Sequence, residues 1–205
     1  MRQKLNRLGW SVMTLGMIAA AVLSVGAASA ETIGKNPGQI KGRWLEVKDP
    51  SVLAGYQGVY LGAVKADIHW KKESNDQPME EDLLTENLQI ELLANLRESG
   101  VLGKVLTEAP AEGATGYLRL DCDLEVEPGS RAARYAVGLG AGKSRSILEI
   151  HLRDHESGAE VGRYHGHGIG SGMGFKLAGG GARKMTQDDN QENAKEFVRL
   201  LAEIK

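Results

Sequence analysis

The strongest constraint on the fold is a strict alternation of apolar and charged residues between positions 117 and 127. The apolar positions are Leu118, Leu120, Cys122, Leu124 and Val126, and the residues between them are Arg119, Asp121, Asp123, Glu125 and Glu127. A period of two places alternate side chains on opposite faces of a β-strand. The run therefore predicts a strand with one buried face and one solvated face.

A second alternating run follows, in which Leu148, Ile150 and Leu152 are separated by charged or polar residues. Residues 154–158 are typical of a turn, and residues 159–165 return as a further strand, which predicts a hairpin. Earlier in the chain, residues 58–64 predict a first strand and 101–107 a short one.

Two helices are predicted from apolar residues at helical spacing. Leu84, Leu88, Leu92 and Leu96 recur every four residues, with Gly100 as a stop signal. The closing helix carries Phe197 and Leu201 on its apolar face, and Thr186 with Asp189 fits a capping box at its start. The order of elements predicts an α/β (α+β) two-layer sandwich, with a mainly antiparallel sheet and two main helices on one face.

The N-terminus has the composition of an export signal. Three basic residues precede an uncharged stretch over 8–30 that closes with Ala28, Ser29 and Ala30, the small residues that signal peptidase accepts. We expect cleavage after Ala30, no transmembrane segment after that cleavage, and a periplasmic or extracellular protein; an uncleaved membrane anchor is the alternative. The predicted divisions are a signal peptide at 1–30, an extended lead-in at 31–55 and one domain at 56–205.

Charge and cysteine content exclude some classes of protein. The formal net charge is −2, and the leader holds three of the positive charges, so a nucleic-acid-binding surface is not expected. No cysteine stands at the end of the leader, so we expect no lipoprotein. Cys122 is the only cysteine, and its place on the apolar side of a strand predicts a small buried hydrophobe.

Residues 127–144, between the two alternating strands, carry a resemblance to a known family. They run Glu-Pro-Gly-Ser-Arg-Ala-Ala-Arg-Tyr-Ala-Val-Gly-Leu-Gly-Ala-Gly-Lys-Ser. This stretch resembles the core motif of the bacterial family called Domain of Unknown Function 4410, and the matching positions are Arg131, Arg134, Gly138, Gly140 and Gly142. The resemblance extends over most of 56–205. It implies a small exported envelope protein and no established activity.

The same glycine run ends like a phosphate-binding loop, with Lys143 and Ser144 in the last two positions. However, Val137 stands where the first glycine is required, and a strand rather than a helix follows. We therefore favour a glycine-rich strand or bulge over a nucleotide-dependent enzyme.

Histidines are the candidates for a metal site. His165 and His167 share one face of a strand, and His151 or His155 from the neighbouring strand is a potential third ligand for zinc or copper. No acidic or thiol ligand is tied to them by spacing, so solvent-facing histidines are the favoured interpretation. We expect no cofactor.

The sequence favours a protein without enzymatic activity. The acidic residues at 121–127 predict a solvated face, with Arg119, Arg131 and Arg134 as neutralising partners. No hydrolase motif is present. The leading hypothesis is an envelope protein that binds another envelope protein, or itself, through a sheet edge or the glycine-rich loop 166–181. The alternative is a periplasmic small-ligand or metal-binding protein that uses His151, His155, His165 and His167.

Overall fold

The computed structural model describes residues 42–69, 80–128, 145–169 and 182–205. The strands are β1 (Trp44–Val47), β2 (Gly58–Ile68), β3 (Lys104–Leu106), β4 (Tyr117–Glu127), β5 (Arg145–Asp154) and β6 (Glu160–Ile169). The helices are α1 (Pro50–Leu53), α2 (Glu81–Ser99) and α3 (Ala182–Ile204). None of the helices in this described part is long and apolar enough to cross a membrane.

The six strands form one sheet in the order β1-β6-β5-β4-β2-β3. The pairs β1–β6, β6–β5 and β5–β4 are antiparallel, whereas β2 is parallel to both β4 and β3. The α+β prediction is confirmed, but the sheet is mixed rather than purely antiparallel. The reason is the crossover through α2, which returns the chain to the sheet in the direction of β2.

The alternation in β4 and β5 produces the core as predicted. Leu118, Leu120, Cys122, Leu124 and Val126 are all buried, and they form one cluster with apolar residues of β5, α2 and α3. Cys122 is a free, buried thiol whose pKa is raised by burial and by the neighbouring carboxylates. The predicted role of this cysteine as a small buried hydrophobe is confirmed.

Helix α2 matches its prediction closely. The four leucines at spacing four are all buried, and Gly100 ends the helix with φ 63°, a left-handed conformation that favours glycine. The side chains that α2 buries thus come from the stripe that predicted the helix.

The domain begins earlier than the sequence predicted. Residues 44–47 form the edge strand β1 beside β6, and Asp49 caps the short helix α1 by accepting a hydrogen bond from Ser51 N. Leu45, Val47 and Leu53 are buried in the common core. The prediction of a lead-in up to residue 55 missed this strand because four residues among glycines and prolines give too short a periodicity.

The boundaries around the glycine-rich region also differ from the prediction. β6 continues to Ile169, and α3 begins at Ala182, before the expected capping box. Thr186 and Asp189 lie inside α3 and are buried, so they do not cap it. A polar pair at capping spacing is indistinguishable in sequence from a polar stripe on a helix interior.

Candidate functional site on the charged face of the sheet

The side chains on the face of the sheet opposite the core form a charged face. We define it as Lys65, Asp67, Arg119, Asp121, Asp123, Glu125, Glu149, His151, Arg153, Glu160, Arg163 and His165. Its residues alternate along β4, β5 and β6 with the core residues, and they are half-buried or exposed. The predicted solvated face of β4 is therefore part of a surface that spans several strands.

One half of this face is an ion-pair network around Asp121. The Asp121 carboxylate lies 2.9 Å from Arg119 Nη2 and 3.3 Å from Arg153 Nε. It also accepts a hydrogen bond of 3.0 Å from the backbone N–H of Ala63, at an irregularity in the pairing of β2 with β4. A Cβ on Gly62 would lie 2.2 Å from Asp121 Oδ1. The carboxylate reaches the backbone of β2 because residue 62 is glycine.

Glu160 completes the paired half of the face. His151 Nδ1 lies 2.8 Å from its carboxylate, Arg163 Nη2 3.1 Å and Arg153 Nη2 3.4 Å. Burial alone would raise the pKa of Glu160, but the hydrogen bond to His151 and the charge of Arg163 outweigh it, and the pKa is lowered. Glu160 is therefore held ionised with fixed partners.

The other half of the face is acidic and surrounds an open depression with a cavity volume of about 600 Å³. The depression is lined by Lys65, Ala66, Asp67, Asp123, Leu124, Glu125, Ile147, Glu149 and His165. Four of these side chains are carboxylates and one is a lysine. In the described part of the chain, Glu125 has no ion-pair partner, and Asp123 approaches only His151, at 3.7 Å. Negative charge is therefore in excess here.

An aromatic residue borders the acidic half. The rings of Trp44 and His165 are stacked, with centroids 5.5 Å apart and an interplanar angle of 13°. His165 Nδ1 lies 3.4 Å from Glu149 Oε1, which orients the imidazole between the indole and the carboxylate. The edge strand β1 thus brings an apolar surface beside the carboxylates of β5.

A comparison with known families identifies the chain. The family model named Domain of unknown function (DUF4410) matches residues 45–174, well over half of the sequence. The chain belongs to the DUF4410 family. No curated protein matches it.

Solved structures similar to this DUF4410 protein include the PelC dodecamer from Paraburkholderia phytofirmans in space group P6. It is 16% identical with a TM-score of 0.39, and the match covers 68% of this chain and 87% of that one. A variant of that dodecamer in space group C2 is 13% identical with a TM-score of 0.40, covering 74% and 90%.

The four candidate histidines of this DUF4410 protein do not converge on one site. His151 and His165 lie on the charged face, whereas His155 lies in the β5–β6 turn, 2.8 Å from the Tyr60 hydroxyl. His167 accepts a hydrogen bond of 3.1 Å from Arg145 Nε, and burial and the charge of Arg145 lower its pKa. Within residues 42–69, 80–128, 145–169 and 182–205, no three His, Cys, Asp or Glu side chains are arranged to hold a metal ion.

Several predicted positions lie outside the described residues. These are the cleavage position after Ala30, the motif residues Arg131, Arg134, Gly138, Gly140 and Gly142, the loop residues Lys143 and Ser144, and residues 170–181 of the glycine-rich loop.

Sequence reasoning missed Glu160 as a member of the face and Trp44 as the aromatic residue at its border. Glu160 stands at a register shift between β5 and β6, where simple alternation fails. A glycine inside a strand pattern, such as Gly62, is a signal for such irregularities.

Proposed function

We propose that this protein is an exported, non-enzymatic binding component of the cell envelope, and that its charged face docks a basic segment of another envelope protein. The observation that carries the proposal is the division of this face into a paired half and an acidic half. The export signal in residues 1–30 supports the compartment.

The paired half supports binding because its side chains are already held in place. Asp121 contacts two arginines, Glu160 contacts two arginines and His151, and the side chains of Asp121, His151 and Glu160 are 16–21% exposed. A surface that is ordered before binding loses less side-chain entropy when a partner docks. The network therefore provides a rigid frame beside the depression.

The acidic half supports a partner of positive charge. Asp67, Asp123, Glu125 and Glu149 surround the depression, and Lys65 offsets only one of their charges. Complementary charge steers association and determines which partner fits more than it sets the affinity. A basic peptide segment matches both the charge and the open lining, which spans the four neighbouring strands β2, β4, β5 and β6.

The ionisation state of the Glu160 carboxylate on this face supports a binding role rather than a catalytic one. A general acid at neutral pH needs a carboxyl whose pKa is raised by burial or by a second carboxylate. The pKa of Glu160, the most heavily partnered carboxylate of the face, is shifted in the opposite direction. Its partners hold it as an anion, which suits recognition.

Site-specific photo-crosslinking in the producing cell tests this proposal. A photoreactive residue replaces Glu125, which is exposed in the depression, and a control replaces Ile90, which is exposed on α2. We expect position 125 to capture one envelope protein through a segment rich in lysine and arginine, identified by mass spectrometry, and position 90 to capture none.

Charge reversal then tests whether the carboxylates cause the capture. For this test the photoreactive residue is moved to position 67. The double substitution Asp123→Lys and Glu125→Lys should then abolish the crosslink. Glu86→Lys with Glu98→Lys makes the same change in net charge on exposed positions of α2, and it should leave the crosslink intact. Crosslinks from the depression only to residues 129–144 of the same chain, only to a second copy, or to nothing would overturn the proposal.

A further inference from the structure

Helix α3 buries a polar stripe in its N-terminal half. Thr186, Asp189, Asn190 and Asn193 follow helical spacing and are at most 7% exposed. They face the sheet where β5 and β6 present Ser146, Gly166 and Gly168: a Cβ on Gly168 would lie 2.7 Å from Asp189 Cγ. In the C-terminal half the buried residues Ala194, Phe197, Leu200 and Leu201 are apolar, and the buried Glu196 pairs with Arg199 of the same helix. The helix therefore changes its mode of packing midway.

This layer, which we call the polar seam, is held by hydrogen bonds between side chains of α3 and those of β5, β6 and α2. Ser146 Oγ donates to Asp189 Oδ2 at 3.3 Å, the Tyr164 hydroxyl donates to Asn193 Oδ1 at 3.4 Å, and Asn190 Nδ2 donates to Asn87 Oδ1 of α2 at 3.1 Å. In the described part of the chain, three buried polar atoms find no hydrogen-bond partner: Arg43 Nε, Asn190 Oδ1 and Asn193 Nδ2.

Buried polar atoms without partners favour any state in which water reaches them. Elements held by few apolar contacts open locally at a lower free energy than the apolar core. The C-terminal half of α3 is anchored in that core, where the Phe197 ring packs 5.3 Å from that of Tyr164. The two halves of one helix thus differ in what holds them to the sheet.

We propose that the N-terminal half of α3, residues 182–193, undocks from the sheet as a unit while the C-terminal half stays packed. The undocked state hydrates the polar seam and exposes the strip of Ser146, Gly166 and Gly168 on β5 and β6. The fold therefore contains a local opening that is independent of the charged face.

The seam also makes this opening sensitive to pH. Burial raises the pKa of Asp189 from 3.8 to about 6. The hydrogen bond from Ser146 and the charge of Arg43 oppose that rise, whereas the charges of Asp188 and Glu192 add to it. β5 and β6 face Asp189 with Ser146 and Gly168, neither of which titrates. The contact of α2 with the seam is the amide of Asn87, bonded to Asn190, and an amide does not titrate either. Because the pKa is higher in the docked state, docking is favoured below pH 4 and weakens as pH rises to about 6.

Hydrogen exchange followed by mass spectrometry on the full mature protein tests the proposal. Residues 186–193 of α3 are compared with residues 85–92 of α2, which lie equally far from the start of their helix but pack through leucines. Dividing the exchange rate of the α3 segment by that of the α2 segment cancels the intrinsic effect of pH on exchange. At pH 7 we expect the α3 segment to exchange at least tenfold faster than the α2 segment. Between pH 4 and pH 7 the ratio should rise by up to about a hundredfold, which corresponds to a shift of two pKa units. Equal protection of the two segments at pH 7 would overturn the proposal.

Two variants test the assignment to the seam. Asp189→Asn keeps the shape of the side chain and removes its charge, so the ratio should stay at its low-pH value throughout. Asp188→Asn removes the same charge from the exposed neighbour that pairs with Lys184. Because the Asp188 charge contributes less than burial to the raised pKa of Asp189, this variant should retain most of the pH dependence of the unsubstituted protein. A pH dependence that survives Asp189→Asn would overturn the role of the seam.

Discussion

At the scale of single residues, the charged face depends on carboxylates that each accept several donors. Glu160 contacts His151, Arg153 and Arg163, and Asp121 contacts Arg119, Arg153 and the backbone of β2. Arg153 is common to both clusters and links them. The paired half of the face is therefore one network, in which loss of a single carboxylate leaves cations without partners.

Glu160→Gln should destabilise the protein at pH 7 by about 1 to 2 kcal/mol, because the amide is a weaker acceptor for His151 and Arg163 than the carboxylate. The pKa of Glu160 is lowered in the folded state. Its ionised form therefore stabilises the fold above about pH 4.5, and this contribution is lost as pH falls through the folded-state pKa. Urea unfolding at pH 7 and at pH 3 measures the difference, which should be smaller at the lower pH.

Glu156→Gln is the matched control for this prediction. Glu156 is exposed in the turn between β5 and β6, and its replacement should change the free energy of unfolding by less than about 0.5 kcal/mol at either pH. A destabilisation as large as that of Glu160→Gln would show that the network does not contribute beyond ordinary surface charge.

At the scale of elements, the contact between α3 and β6 depends on glycines. A Cβ on Gly168 would lie 2.4 Å from Ser146 Oγ and 2.7 Å from Asp189 Cγ. Gly168→Ala should therefore force α3 away from the sheet and destabilise the fold by about 1 to 3 kcal/mol. Chemical unfolding measures the loss, and adding Ser146→Ala should restore part of it by removing the nearer of the two contacts. No recovery in the double variant would contradict this explanation.

The elements differ in how far the sequence predicts them. β4, β5 and α2 follow from periodicity because their buried positions are regularly spaced and, apart from Ser146 in β5, apolar. β1 is too short to show a period, and the start of α3 is hidden because its buried stripe is polar. In both cases the tertiary contact, with β6 or with the polar seam, determines the element.

The charged face was predictable only in part, for a related reason. Alternation in β4 predicts which side chains are solvated, but not which strands lie beside them. The ion pairs of Glu160 arise from the order β6-β5-β4 and from the register shift between β5 and β6. Neither feature has a local signature. The sequence therefore did not show that His151 and His165 both approach the carboxylate of Glu149, whereas His155 lies in the turn beside Tyr60.

At the scale of the whole molecule, Glu160 and Asp189 respond to pH in opposite directions. Glu160 is an anion stabilised by cations, whereas Asp189 is a carboxyl that burial favours in its neutral form. The first stabilises the fold towards neutral pH, and the second stabilises it towards acid pH. The stability of the protein between pH 4 and pH 7 reflects both contributions.

Asp189→Asn should therefore stabilise the protein at neutral pH. The pKa of Asp189 is about 6 in the fold and 3.8 as its ordinary value, so ionisation costs up to about 3 kcal/mol of folding stability at pH 7. The free energy of unfolding in urea, measured from pH 4 to pH 8, should exceed that of the unsubstituted protein above pH 6 and converge with it near pH 4. Asp188→Asn should gain much less stability above pH 6, because the Asp188 charge contributes less than burial to the raised pKa of Asp189. A variant at position 189 that is less stable at pH 7 would show that the ionised carboxylate, through Arg43 and Ser146, contributes more to the seam than its burial costs.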